Sequence, residues 1–578
     1  MLLDLGKLPP EGETYDVVVV GAGGAGMSAA LIAAIEGKKV LLVERTEYVG
    51  GTTALSAATT WIPCTRHAAE VSQGDTLETA EKFLNAAVGD RTPAELRRVL
   101  LQTGPKAVDY IESKSEVKYR PYPLHPDYLT ELEGSTMKGR ALEPSPFDGR
   151  KLGKLLTLVR PPIPEFTVLG GMAVDRSDIF HLLRATKQVK SFWYSGMIIL
   201  RHWKDKLFYP RGTRMVMGNA LIGRLLLSLE QRNVPIAIKT SLAKIHADAA
   251  GVHAVTLVQE GKRRTVKVTG GVILATGGFT RNPKLRKQML PGVDIAWCPG
   301  APGHTGEAHE LALNMGAHYG TGGLTNSFWA PVSLRKRKDG STAVFPHFVM
   351  DRAKPGFITV NKKGERFLNE STSYHLFGVA MQEENKKSES IPAYLVCDAV
   401  ALKKYGIGMV RPGPMGLASA LKDGYVTSGA TLDELAAKLK IDASGLKDSV
   451  KKINAYAETG VDPDFGRGTT AYQRNNGDAT WTGKNPNIGP LSVGPYYAVR
   501  LYPGDIGAAT GLVTDVNAQV LDAQNRPIAG LYAVGNDMHS VMGGVYTAPG
   551  ITVGPGLVFG YIAAMHAIAR KAEQRAAA

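Results

Sequence analysis

The segment GGVYTAPGITVGPG, Gly543 to Gly556, sets one phenol, Tyr546, among five glycines and two prolines. Such a stretch has little to pack on and suits no regular element. Its glycines let backbone come close to a flat ligand, and the phenol can add a hydrogen bond to it. A second glycine cluster opens the chain. In YDVVVVGAGGAGMSAALIAAIEGKKVLLVER the β-branched run Val17 to Val20 reads as a buried parallel strand. Gly21, Gly23 and Gly26 follow in GxGxxG spacing, with Gly24 among them, ahead of an alanine-rich helix. That order brings a pyrophosphate to backbone N–H groups at a helix N-terminus. Glu44, eighteen residues after Gly26, closes the second strand where a carboxylate accepts from a ribose, and Arg45 stands beside it. The ligand expected is a dinucleotide.

Stepping along the chain, three further stretches point to a long cofactor. EYVGGTTALSAATTWIP supplies Gly51, Thr52, Thr53 and Ser56 just after the acid. GGVILATGGFTRN is a strand ending in small residues, Ala275, Gly277 and Gly278 among them. GLYAVGNDM brings another strand to Gly535 and Asn536, shortly before Tyr546, Gly550 and Val553. Strand ends so far apart in sequence suit one cofactor held along its whole length.

These stretches resemble the FAD-binding fold of the fumarate reductase and ketosteroid dehydrogenase flavoproteins, over about Tyr15 to Ala569. The resemblance implies an α/β fold: a discontinuous Rossmann-type FAD-binding domain with an inserted α+β catalytic domain capping the flavin. The divisions expected are 1–311 and 493–578 for the FAD part and 312–492 for the catalytic part. Relatives that bind FAD covalently do so through a histidine in the segment after Glu44; none stands there, so the resemblance implies noncovalent FAD.

Within that family VYTAPGITVGPG resembles the 3-ketosteroid Δ1-dehydrogenase segment with Tyr-x-x-x-Gly, here Tyr546 and Gly550. The implied role is to hold a steroid C3 carbonyl between the phenol O–H and the Gly550 N–H, an oxyanion-type arrangement. Tyr374, in KPGFITVNKKGERFLNESTSYHLFGVAM, falls where the family places its base, and Tyr128, in PDYLTELEGSTMKGR, where it places an assisting tyrosine. Phenol ionises at about pH 10 in water, so a tyrosine base needs a second phenol or a positive field to hold its charge. The resemblance thus implies that Tyr374 takes the C2 proton while flavin N5 takes the C1 hydride. Proline often follows the family's C-terminal tyrosine directly; here Thr547 and Ala548 precede Pro549. The main rival is a Δ4-(5α)-ketosteroid dehydrogenase, which commonly has serine where this chain has Ala548. A fumarate reductase-like enzyme would need arginine and histidine clusters for a dicarboxylate.

The elements around these residues are less distinctive. FITVNKKGERFLNE reads as a hairpin, and SGATLDELAAKLKIDASGLKDSVKKINAYAETG as two capped helices, the second starting at Asp442 or Ser444. His125, Asp127, His304 and His309 lack metal-ligand spacing and read as structural or pocket-lining; no metal is expected. Cys64, Cys298 and Cys397 are odd in number and far apart, against a disulfide framework and suited to a reducing, cytoplasmic setting. No signal peptide and no spanning run is apparent, and the only low-complexity tract is the short RKAEQRAAA tail.

The net charge of +15 favours an anionic partner. It concentrates in an insertion at about 180–214, where Arg184 to Arg214 holds eight Lys or Arg against one acid, Asp205. Val189, Trp193, Met197, Leu200, Trp203 and Leu207 recur there at helical steps, with Lys187, Lys190, Arg201 and Lys204 beside them. That pattern suits a helix lying in an anionic bilayer surface; the other reading is a helix packed in a core or a subunit interface. Nucleic acid is not expected, since neither an open stacking face nor a known module is present. With its length and basic insertion the chain resembles the longer type within this family, the cholest-4-en-3-one Δ1-dehydrogenases that accept steroids with side chains, and the expected partners are a 3-ketosteroid and an electron acceptor such as a quinone.

Overall fold

A computed structural model describes residues 7–577, with side chains to Arg570; the expected low-complexity tail after Arg570 lies outside the described side chains. Two sheets organise it. The first runs in the order Ile236–Ala237, Val40–Val43, Thr14–Val20, Lys262–Leu274, Gly251–Gln259 and Ser241–Asp248. Thr14–Val20 pairs in parallel with Val40–Val43 on one side and with Lys262–Leu274 on the other. Pro527–Ala533 joins the far end of Lys262–Leu274, again in parallel. The apolar runs Val17 to Val20 and Val40 to Val43 are buried because helices cover both faces. Helix Gly24–Ile35 packs against helix Val553–Ala577, so chain from both ends shares one core.

The second sheet is antiparallel: Thr342–Pro346, Ser327–Lys336, Tyr496–Ala508, Ala393–Cys397 and Phe357–Val360, with Thr427–Gly429 also on Tyr496–Ala508. Tyr496–Ala508 is therefore a central strand of this sheet, although it follows the expected division at 493. Of the expected hairpin only Phe357–Val360 is a strand, and its return is one bridge, Val360 to Arg366. The reason is electrostatic. Arg366 turns inward to Glu370 and Asp462, at 2.8 Å each, instead of alternating outward along a strand. The two capped helices are Leu432–Leu439 and Ala443–Thr459, the second capped by Asp442, whose carboxylate accepts from Gly445 N–H.

The insertion is a pair of helices, Arg176–Arg184 and Val189–Phe208. Its apolar stripe does not pack inside this chain: Val189, Trp193, Leu200 and Leu207 are 77%, 67%, 72% and 79% exposed. Lys187, Lys190 and Lys204 are exposed beside it. Arg201 departs from that pattern, donating inward to Asp148 Oδ1 at 2.9 Å and to Thr213 Oγ1 at 3.2 Å.

A buried ion cluster ties the segment 352–373 to the second sheet. Glu370, fully buried, accepts from Arg366 at 2.8 Å and from Arg467 at 3.1 Å. Removing that carboxylate's charge leaves Arg366 with Asp462 alone and strands Arg467 away from water, at a cost of about 3–5 kcal/mol. Glu370→Gln is therefore expected to lower the melting temperature of the flavin-loaded protein clearly. An unchanged melting temperature contradicts this role.

Candidate active site

One continuous cavity runs from the first βα turn to the second sheet. At one end it is lined by Gly21, Gly23 and Gly24, by Glu44 and Arg45, and by Gly51, Thr52, Thr53 and Ser56. Ala275, Gly277, Gly535, Asn536, Gly550 and Val553 continue the wall. Gly26 and Gly278 do not line it. Gly26 serves the turn beneath, where a Cβ would lie 1.9 Å from Gly21 O. The Gly278 N–H donates to Asp537 at 2.7 Å.

Helix Gly24–Ile35 begins at this wall, and first-turn N–H groups have no acceptor within their own helix. They form a ready site for a diphosphate. Glu44 Oε2 accepts from Ala22 N at 2.9 Å, and Oε1 accepts from Thr46 N and Oγ1 at 2.8 Å, which fixes the carboxylate at the cavity edge. Arg160 donates to Thr46 Oγ1 at 2.8 Å, so this cation also belongs to the Glu44 end. His304 lines the same region, and burial lowers its pKa to about 4, leaving a neutral ring beside Thr52 and Thr280.

Asp537 holds the middle. Fully buried, it accepts from Thr276 N and Oγ1, from Gly278 N and from His309 Nε2 at 2.9 Å. Burial alone raises a carboxyl's pKa, but His309 and these donors outweigh it and hold Asp537 low and ionised. One carboxylate thus fastens the strand end at Ala275 to the loop after Pro527–Ala533.

At the other end stand the phenols. Tyr128 Oη donates to Tyr374 Oη at 3.0 Å. The Tyr546 ring lies 5.7 Å from that of Tyr128, stacked, and 5.1 Å from that of Tyr374, edge on. A fourth ring, Tyr472, sits 4.9 Å from Tyr128. Each phenol is placed by separate chain. Asp127 accepts from Trp61 Nε1, Arg140 Nη1 and Thr136 N, and Tyr128 N then donates to Thr547 O at 2.8 Å. Tyr128 is thereby tied to the glycine-rich loop itself. Tyr374 is the first residue of helix Tyr374–Asn385, capped by Ser373. Its position at a helix N-terminus favours negative charge on the side chain. Burial nevertheless pushes the Tyr128 and Tyr374 phenols well above their ordinary value, and it raises Tyr546 too.

Gly550 closes the site. Its φ of +90° is left-handed, and a Cβ there would lie 2.3 Å from Thr59 O. Its N–H has no hydrogen-bond acceptor among the described residues, while its carbonyl accepts from Trp61 N and Gly554 N. A free N–H at a cavity wall beside Tyr546 is an arrangement that can receive a carbonyl oxygen. The surrounding lining is apolar: Leu124, Ile163, Phe166, Val174, Phe328 and Phe348 among others.

Sequence reasoning missed Tyr472, Arg352, Asp537 and Arg160. Tyr472 lies in the short helix Ala471–Asn476, with no pattern around it to set it apart. Asp537 could have been read from its place directly after Gly535 and Asn536.

A family model described as FAD binding domain matches residues 16–553. The chain belongs to this FAD-binding family. It is 37% identical over 97% of its length, and 94% of the relative's, to a 4-oxocyclohex-2-ene-1-carboxylate 5-dehydrogenase of Sinomonas cyclohexanicum. It is 34% identical to a 3-oxosteroid 1-dehydrogenase of Mycolicibacterium smegmatis, covering 98% of this chain and 99% of that one. Among solved structures it resembles a 3-ketosteroid Δ1-dehydrogenase of Sterolibacterium denitrificans, solved with 1,4-androstadiene-3,17-dione. The TM-score is 0.89 at 32% identity, over 96% of this chain and 100% of that one.

The family member described here is an FAD-dependent oxidoreductase, and its residues fit that cofactor. Helix Gly24–Ile35 would hold the diphosphate, Glu44 the ribose, and Gly535, Asn536, Gly550 and Val553 the wall further along. Gly550→Ala must put a Cβ against Thr59 in a strained backbone. It is expected to purify with less flavin and a lower melting temperature than the parent; full flavin content and an unchanged melting temperature contradict this.

Proposed function

We propose that the protein is a 3-ketosteroid Δ1-dehydrogenase that introduces a C1–C2 double bond into the steroid A ring, with cholest-4-en-3-one among its substrates. The observation carrying this reading is the Tyr128–Tyr374 hydrogen bond beside Tyr546 and the unbonded Gly550 N–H, all at one cavity end. Tyr546 and Gly550 hold the C3 carbonyl, which acidifies the C2 hydrogens and stabilises the enolate as it forms. Tyr374 takes the C2 proton and Tyr128 supports the oxygen that receives it. Bound FAD supplies the two-electron acceptor for the hydride lost from C1, and an external acceptor of quinone type later removes those electrons.

The name of the Sinomonas relative points to a ring ketone bearing a carboxylate. A buried carboxylate needs a cation beside it. Arg45 and Arg160, the cationic side chains that line the cavity, belong to the Glu44 end, and burial lowers the His125 pKa to about 4, which keeps it neutral. The apolar lining favours the steroid.

The exposed stripe of helix Val189–Phe208 supports a second part of the proposal, contact with an anionic bilayer. Ile179 of the preceding helix both lines the cavity and is 38% exposed, so the apolar surface continues into the site. A sparingly soluble steroid can then pass from lipid to site without crossing water. Lys187, Lys190 and Lys204 each add roughly 1 kcal/mol on anionic lipid. No helix among the described residues is long and apolar enough to cross a membrane.

Four outcomes are expected. With androst-4-ene-3,17-dione, cholest-4-en-3-one and 4-oxocyclohex-2-ene-1-carboxylate, product analysis finds Δ1 unsaturation of the steroids; turnover of the carboxylate alone overturns the reading. Tyr374→Phe loses at least about a hundredfold in kcat, and Tyr546→Phe about 10²–10³-fold, with flavin retained. Since a base must be ionised and burial raises the Tyr374 pKa, kcat/KM rises with pH toward the alkaline side. A limb near ~6.5, the histidine range, contradicts a tyrosine base. Finally, the protein sediments with anionic liposomes, less so in high salt, and replacing Trp193 and Trp203 with serine releases it. Retained binding, or precipitation of that variant, marks a subunit interface instead.

A further inference from the structure

Arg352 is one of the largest fully buried side chains, and no carboxylate neutralises it directly. Its Nε donates to His347 O at 3.0 Å, and its Nη1 to Glu370 O at 2.6 Å and Thr372 O at 2.8 Å. The carbonyls of Glu370 and Thr372 belong to the turn immediately before Tyr374. Nη2 has no hydrogen-bond partner. The nearest carboxylate is Asp351, whose charge acts on Arg352 without a hydrogen bond from the guanidinium. Asp351 Oδ2 accepts from His347 Nδ1 and Gly408 N, and its Oδ1 accepts from the Arg352 backbone N–H. Glu370 is taken by Arg366 and Arg467.

Isolating a guanidinium in this way is costly unless its charge acts on something. Its other charged neighbour is Arg467, which donates to Arg352 O at 3.1 Å and is itself balanced by Glu370. The guanidinium also lies 5.1 Å from the centre of the Phe377 ring, and phenols stand on the remaining side. Tyr472 approaches Arg352, and its buried hydroxyl makes no well-formed hydrogen bond. The Tyr472 ring packs on Tyr128, which is bonded to Tyr374. Tyr374 is further faced by Tyr546 and Phe348, and its neighbour His375 is kept neutral by burial, at about 3. Among the described residues no cation other than Arg352 is among the groups facing this cluster.

We propose that Arg352 is the positioning residue of the tyrosine base: it clamps the Glu370 and Thr372 carbonyls ahead of Tyr374, and its charge stabilises the phenolate shared by Tyr374 and Tyr128. The proposal rests on the reading of Tyr374 as a base. Against the desolvation that raises both phenols, Arg352 acts on Tyr128 and Tyr472 in the opposite direction. It therefore sets where the site becomes competent on the pH scale.

The test compares two variants of the flavin-loaded enzyme. Arg352→Gln keeps N–H donors and drops the charge; Arg352→Lys keeps the charge and loses the planar clamp. On androst-4-ene-3,17-dione, Arg352→Gln is expected to move the acid limb of kcat/KM up by at least about one pH unit, a tenfold loss or more below the limb. Arg352→Lys lowers the rate but leaves the limb near its parent position. A merely structural role lowers both variants equally at every pH, and that result overturns the proposal.

A second readout needs no substrate. The near-ultraviolet tyrosinate signal of the holoprotein, less that of its Tyr374→Phe variant, isolates Tyr374, and Arg352→Gln should shift its titration upward. An unmoved titration overturns the role of Arg352 even if steroid turnover is found. Absence of steroid turnover with the titration shifted overturns the function and leaves Arg352 standing. If Arg352→Gln fails to hold flavin, Arg352→Met takes its place; failure of both makes Arg352 a folding residue and overturns the proposal.

Discussion

A phenol can accept a proton only where something else holds the negative charge it carries beforehand, and on the proposed reading of Tyr374 as the base the Tyr128–Tyr374 hydrogen bond meets that demand. Much of the surrounding architecture can be traced to it. Tyr128 is steered from behind by Asp127, whose carboxylate collects Trp61, Arg140 and Thr136. It is steered from the front by its own N–H, which reaches Thr547 in the loop carrying Tyr546. Tyr374 comes from the second sheet's side, at the start of a helix whose leading turn Arg352 clamps. Neither phenol is placed by the segment that places the other. The bond therefore forms only when both sheets are assembled.

Burial works against this chemistry as well as for it. An apolar lining strengthens every hydrogen bond made within it, but it also raises the phenols. The chain's answer is to bury charge in balanced groups nearby. Glu370, Asp462, Arg366 and Arg467 neutralise one another. Arg352 stands beside Asp351 without a hydrogen bond from its guanidinium to that carboxylate. At the other end Asp537 performs a comparable service for the cofactor cradle, where one ionised carboxylate holds two loops far apart in sequence.

The parts of this arrangement legible in the sequence are those with local grammar. The glycines of the first turn, Glu44 and the paired helices at 432–459 announce themselves through spacing and caps. Tyr128, Tyr374 and Tyr546 were legible through family resemblance and the chemistry of phenols, since nothing in their own surroundings separates them from the other tyrosines. Arg352 and Tyr472 were not legible. Their roles arise from what stands opposite in space, and a lone arginine or a tyrosine in a six-residue helix carries no local signature. The return of the expected hairpin failed for a similar reason: Arg366 is drawn inward by Asp462, nearly a hundred residues away. The apolar stripe at 189–207 was legible as a helix, but only the structure shows that this chain leaves it uncovered.

The most direct test of the tyrosine base separates proton removal from hydride removal. With the flavin held reduced and oxygen excluded, hydride has nowhere to go, so exchange of the steroid's C2 hydrogens with deuterated water reports the base alone. A base at Tyr374, supported by Tyr128, predicts C2 exchange in the parent enzyme and its near-complete loss in Tyr374→Phe, while the steroid still binds. Exchange at the parent rate in Tyr374→Phe would contradict it and place the base elsewhere in the cavity.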